Sequence, residues 1–290
     1  MLALVVVVAS QQGQPSAPYD EATRLYAEQR FDQAERVLTE ALKNQPRSAS
    51  LRFLLGATLL QLKRDDEAIQ QLREAVRLDP RHRDAVKLLA AELIGHHEYS
   101  EAIRILTPLM ALRPTDEESY LLLTQAYHDR ADADDNQRAI SAADQGLKQY
   151  PRSPGLLTSK GLALREDGRL QEARQLLENA LRLNPGLTQA QAVLADVLSR
   201  LGNHTSAIPL FRAVLAVDEG NVESRVGLSR DLVAAGHTGE AIAELNQAKK
   251  LAPQNAQIRL ELSQVYSKLR MTDRAREEAE AFRQLRSSQR

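Results

Sequence analysis

The chain has no cysteine and no tryptophan, and aromatic residues make up 4% of its 290 positions. Without cysteine there is no disulfide framework, no thiolate metal site and no cysteine nucleophile. An excess of charge is also missing. Lys and Arg number 38 against 39 Asp and Glu, a net charge of −1, so no global field draws the chain to nucleic acid or to an anionic membrane. Nor does any apolar run approach the roughly 20 residues of a transmembrane helix. The longest is at residues 2–9 of "MLALVVVVASQQGQPSAP". It fits the apolar part of a secretory signal, with Val8 and Ser10 at −3 and −1 of a cut before Gln11, although no Lys or Arg precedes it. The expectation is a signal remnant and linker over 1–14 and an exported protein, with the cytoplasm as the alternative.

Catalytic and cofactor signatures are absent as well. There is no glycine-rich phosphate loop, no G-x-G-x-x-G and no G-x-S-x-G. Six histidines occur, but adjacent His96 and His97 leave a helix in different directions, and "HHEYSEA" lacks the second histidine of H-E-x-x-H. The sequence predicts no catalytic residue, no metal and no cofactor.

What the chain does contain is a repeat. Alanines stand at Ala34, Ala68, Ala102, Ala139, Ala173, Ala207, Ala241 and Ala275, evenly spaced except for one longer step between Ala102 and Ala139. Prolines keep the same phase at Pro46, Pro80, Pro114, Pro151, Pro185 and Pro253, with Glu219-Gly220 in the one deviant slot. Small residues form a third series: Ala22, Gly56, Ala90, Thr124, Gly161, Ala195, Ser229 and Ser263. In residues 50–80, Leu51, Leu54, Leu55, Leu59 and Leu62 make one helical stripe, and Ile69, Leu72, Ala75, Val76 and Leu78 a second. Asp65 or Asp66 is expected to cap the second helix. Pro80 ends it, since proline lacks an N–H and disfavours the α conformation in the residue before it. Gly56 and Ala68 are small where two helices must approach closely. Gly168, Gly202 and Gly236 fall in the turns within repeats, where a positive φ is often needed.

This pattern resembles the tetratricopeptide repeat, a helix–turn–helix of about 34 residues. The matching features are the small residue at repeat position 8, Ala at 20 and Pro at 32. The resemblance implies an all-α solenoid over 15–289, stacked as a right-handed superhelix. Its repeats run at about 15–48, 49–82, 83–116, 117–153, 154–187, 188–221, 222–255 and 256–289. The aromatic residue usual at position 4 is mostly replaced, by Arg52, Arg225 and Arg259, although Tyr120 survives.

The resemblance further implies that the first helix of each pair lines a concave groove through positions 2, 5, 9 and 12, of which 5, 9 and 12 share one face. The candidate partner-binding residues are therefore Tyr19, Tyr26, Phe53, Leu60, Lys87, Leu121, His128, Arg165, Asp196 and Arg230. The N-terminal part is apolar and aromatic, suited to an amphipathic helix or an extended hydrophobic segment, and the middle alternates in charge. Tyr19, Tyr26 and Phe53 serve either partner contact or packing against the next helix. No repeat has Asn at position 6 or 9, so a clamp for a C-terminal carboxylate is not expected. The implied function is a non-enzymatic interaction module or scaffold that holds a protein or peptide, in a bacterial cell envelope. The alternatives are self-assembly into a homo-oligomer through end repeats, and an accessory subunit for a separately encoded enzyme or secretion system.

The longer step falls at "DRADADDNQ". Asp132-x-Asp134-x-Asn136 resembles the start of a calcium loop, but the sixth and twelfth positions hold Gln137 and Ala143 in place of Gly and Glu. The stretch reads as a lengthened polar turn, with Asp134, Asp135 or Asn136 capping the helix that follows.

Overall fold

Helices form because the chain is rich in Ala, Leu, Gln, Glu and Arg and nearly empty of the β-branched alternation that strands require. The computed structural model describes residues 17–111 and 115–288. The apolar run at 2–9 and the cut before Gln11 lie outside the described residues. The chain divides into two compact halves, one up to Arg130 and one from Ala131. The N-terminal half holds α1 (Ala17–Ala27), α2 (Phe31–Asn44), α3 (Ala49–Gln61), α4 (Asp65–Leu78), α5 (Arg83–Gly95), α6 (Tyr99–Leu106) and α7 (Glu117–Arg130). The C-terminal half holds α8 (Asp135–Gln149), α9 (Pro154–Glu166), α10 (Leu170–Leu183), α11 (Thr188–Arg200) and α12 (His204–Val217). It ends with α13 (Val222–Ala234), α14 (Thr238–Leu251), α15 (Ala256–Lys268) and α16 (Thr272–Ser288). Within each half consecutive helices pack as antiparallel pairs, and each pair stacks on the next.

The periodic alanines are the contact points. Ala34, Ala68, Ala102, Ala173, Ala207 and Ala241 are fully buried, as are Leu38, Leu72, Leu177 and Leu245 one turn further along the same helices. Gly56 allows the close approach expected of it, since a Cβ there would lie 2.7 Å from Leu72 Cγ. Gly227 does the same for Phe211, whose ring tip would be 2.5 Å from an added Cβ.

The turn within each repeat places one residue in the left-handed region. Gly168, Gly202 and Gly236 have φ of +76°, +78° and +87°. The equivalent residues elsewhere are not glycine: Gln29, Lys63, His97, Ala131 and Arg270 have φ between 54° and 63°. These positions keep the register of the alanine series, and the longer step falls between Ala131 and Gly168. The added residues therefore follow the left-handed residue of repeat four. They lengthen the turn and start α8 one residue early, so that it has 15 residues where α10 and α12 have 14.

Capping differs from expectation. Most first helices are capped by side chains: Ser48, Ser153 and Asn221 accept from the N–H of Leu51, Leu156 and Ser224, at 3.3, 3.0 and 2.9 Å, while α11, with Leu187 at its N-cap, is not. Second helices are not. The N-cap of α4 is Arg64, and Asp65 and Asp66 lie inside the first turn, where they favour the helix dipole instead of capping. The cause is backbone geometry. Ser48 and Ser153 are extended, with ψ of 109° and 110°, whereas Glu98 and Asn203, which carry acceptors but follow the left-handed residue, have ψ of 49° and 52°; Arg30 and Arg64 at the same place have no acceptor to offer. A cap needs the extended form to bring its side chain over the free N–H groups. Likewise Asp134 is the N-cap of α8 without a side-chain bond. Asp135, fully buried, accepts from the Asp132 N–H at 3.0 Å and so ties the inserted turn, not the helix start.

Repeat three departs in its second helix. Helix α6 has only 8 residues and passes into a 3-10 segment, Thr107–Ala111. Pro108 is the cause, since it removes a backbone donor and crowds the carbonyl one turn back.

The position-4 arginines make good the missing aromatic ring by hydrogen bonding. Arg52 donates to the Pro46 carbonyl at 2.9 Å and to Gln71 at 2.8 Å. Arg225 repeats the arrangement on the Glu219 carbonyl at 2.8 Å and on Glu244 at 2.5 Å, and Arg259 donates to Glu278 at 2.9 Å. Each ties a first helix to its own second helix through a partner 19 residues ahead. Arg52 and Arg225 also hold the preceding loop.

Candidate partner-binding face

In the N-terminal half, the exposed side of α1 and α3 gathers Tyr19, Tyr26 and Leu60, all half-buried and packed on the core that contains Leu38, Leu51, Leu54 and Leu55. Tyr26 meets Phe31 edge-on at 5.3 Å. Burial pushes the Tyr19 phenol above its ordinary value, and Asp84 and Asp20 add to the shift. Burial also raises Tyr26, against an opposing hydrogen bond with Gln61. Both hydroxyls are therefore neutral donors over the physiological range. Phe53 is 5% exposed and its ring lies 5.0 Å from that of His82, which caps α5. It supports the face from beneath. Leu121 and His128 are half-buried on α7.

The charged candidates are paired within the chain. Lys87 on α5 reaches Glu118 on α7 at 2.9 Å, with Asp84 and Asp116 at 3.5 and 3.6 Å. Burial pulls the Lys87 ammonium down, but these carboxylates outweigh it and hold it above its usual value. In the C-terminal half, Arg165 on α9 contacts Glu166 and lies 3.4 Å from Asp196 on α11, whose same oxygen is 2.9 Å from Arg200. Arg230 on α13 meets Glu261 on α15 at 2.6 Å. A further link joins α11 to α13: Asp231, fully buried, accepts from Ser199 at 2.6 Å and bonds His204 Nδ1 at 2.7 Å. Because Ser199 and His204 meet the same carboxylate oxygen, and not each other, the trio lacks the relay of a hydrolase triad.

Lys87 with Glu118 and Arg230 with Glu261 share a separation of 31 residues, and Arg165 with Asp196 repeats it. That is one repeat less roughly one helical turn, the step between neighbouring first helices. Glu118 stands at groove position 2 but was not among the named candidates, and Glu261 and the buried Asp231 lie outside positions 2, 5, 9 and 12. This recurrence of opposite charge was the signal for the first two. Among the described residues, no group of three or more His, Asp or Glu could hold a metal ion, and no helix is long and apolar enough to cross a membrane.

Antiparallel helix pairs that repeat in a fixed register, with one face carrying rungs of aromatic and charged side chains, define an α-solenoid. The chain belongs to the tetratricopeptide repeat family, whose model matches residues 19–83, 125–188, 160–223 and 226–289, with a second model of that description over 198–251. Among curated proteins none matches the chain. Solved structures share the fold. The Cut9–Hcn1 hetero-tetramer of APC/C superposes with a TM-score of 0.68 at 17% identity, over 85% of this chain and 48% of that one. MamA 41-end from Desulfovibrio magneticus RS-1 gives 0.54 at 20% identity, over 60% and 96% of the two chains. YrrB, described as a TPR protein with an unusual peptide-binding site, gives 0.52 at 18%, over 62% and 91%. The fold is generally that of a protein-interaction scaffold, not of a catalyst.

Proposed function

We propose that this protein is an interaction module that holds a peptide or an extended partner segment along its first helices. The observation that carries the reading is the half-exposed apolar face of Tyr19, Tyr26 and Leu60, beside a rung of charge at Lys87 and Glu118. Apolar side chains give a partner its anchoring energy, and fixed charges give it register. The partner is expected to bring an aliphatic or aromatic anchor. Affinity capture with mass spectrometry, comparing the wild type with a variant carrying Tyr26→Ala and Leu60→Ala, tests this. Partners lost from the variant support the face as the site, and unchanged recovery sinks it. Phe53 is left intact because its burial would confound binding with folding.

The apolar run at 2–9 supports placement in a bacterial cell envelope after cleavage. N-terminal sequencing of the protein from its native cell should give a mature chain beginning near Gln11; a chain that keeps Met1 contradicts export.

A further inference from the structure

Between α13 and α15 lies a cavity of about 300 Å³ on the first-helix side of the C-terminal half. Its walls are Val233 and Val265, and its polar rim is Arg230, Glu261, Gln264 and Lys268. Buried Ser229 also lines it, with its hydroxyl donating to the Val226 carbonyl at 2.7 Å. The volume is at the lower end of small-molecule sites, about 300 Å³, and so has room for one side chain with water around it.

The charge on the rim is unbalanced. Glu261 is the one carboxylate on the rim, and its Oε1 is engaged by Arg230 Nε at 2.8 Å, Arg230 Nη2 at 2.6 Å and Gln257 Nε2 at 3.1 Å. Lys268 and Gln264 are exposed, and neither has a hydrogen-bond or ion-pair partner among the described residues. Arg230 keeps a further N–H face beyond the two nitrogens that hold Glu261. The rim therefore carries two cations, Arg230 and Lys268, against one carboxylate that Arg230 already holds, and Lys268 is left without a charge partner above an aliphatic floor.

We infer that this cavity receives a glutamate or aspartate side chain of the bound peptide. The methylenes would lie on Val233 and Val265, and the carboxylate would accept from Lys268 and Gln264. Charged hydrogen bonds of this kind are about twice as strong as neutral ones, and the two cations of the rim, set against one carboxylate, disfavour a basic side chain at the same place. The inference rests on the reading of the first-helix face as a peptide-binding surface, and it fixes the chemistry of one peptide position.

The test is selection of a displayed library of random dodecapeptides on the full chain, wild type against Lys268→Glu. Lys268 is exposed, so an unchanged melting temperature is expected in the variant. The wild type should enrich peptides with an acidic residue at one fixed position, and Lys268→Glu should replace it with Lys or Arg. A selected peptide should bind roughly tenfold more weakly to Lys268→Ala and be rescued by Lys268→Arg. Peptides enriched without an acidic position, or the same peptides from both proteins, overturn the pocket assignment and leave the face as a peptide site. No enrichment by either protein overturns both.

Discussion

Single residues decide where each repeat turns. In half of the repeats a residue bearing a long side chain, Gln29, Lys63, His97 or Arg270, adopts a left-handed φ that glycine supplies at Gly168, Gly202 and Gly236. A Cβ in that region costs about 1–2 kcal/mol, partly offset by the extra freedom glycine has when unfolded. Lys63 is exposed at the end of α3 and takes part in no ion pair among the described residues. Lys63→Gly should therefore stabilise the protein by about 0.5–1 kcal/mol, seen as a higher melting temperature. No change, or a fall, would show that the turn is not strained. The three turn glycines could be read directly from the sequence because glycine announces a positive φ. The others could be placed only by register, since nothing in the chemistry of Gln, Lys or Ala marks them. The same limit applies to caps: an aspartate near a helix start looks like a cap, but ψ decides, and ψ follows from the turn before it.

Between elements, charge recurs at fixed offsets. First helices are joined by pairs 31 residues apart. Second helices are joined by Arg73 with Glu101 and Arg212 with Glu240, both 28 apart and at 2.7 Å. Exposed pairs of this kind contribute about 0–1 kcal/mol each, so they set register more than stability. Glu278 is different. It is 4% exposed and held by Lys249 at 2.7 Å and Arg259 at 2.9 Å. Burial pushes its carboxyl up, but these two cations outweigh burial and hold it below its usual value. Glu92 on α5 shows the opposite balance. Burial raises it, and Asp65 at the start of α4 adds, against a smaller opposing effect of His96. A raised carboxyl binds its proton more tightly when folded, so its favourable contribution is complete below the ordinary carboxylate value and is lost as pH rises through the folded one. Glu92→Gln should thus raise the melting temperature at neutral pH, with the gain shrinking as the pH falls into the ordinary carboxylate range. A pH-independent effect would contradict the assignment. Helix pairing was legible because alanine, proline and the small-residue series mark each contact. The shortening of α6 was not, because one Pro108 acts against an otherwise regular stripe.

At the scale of the whole molecule, the repeat accounts for nearly all of the described chain, and its stability is a sum of repeat and neighbour terms. The one break in register coincides with the boundary between the two compact halves at Arg130 and Ala131. The stretch "DRADADDNQ", which has the look of a cation loop, is the inserted turn, closed by Asp135 on the Asp132 N–H. Repetition made the fold readable in advance. The candidate face was readable in outline only, since position within a repeat gives direction but not whether a side chain is buried, as Phe53 is, or paired, as Lys87, Arg165, Asp196 and Arg230 are. The proposed function rests on that face. The most direct test is a binding isotherm of the captured partner against the wild type and the Tyr26→Ala, Leu60→Ala variant, with the melting temperature of each recorded. Loss of two half-buried apolar anchors should weaken binding at least about tenfold while both proteins remain folded. Equal affinity in two equally folded proteins would contradict the account.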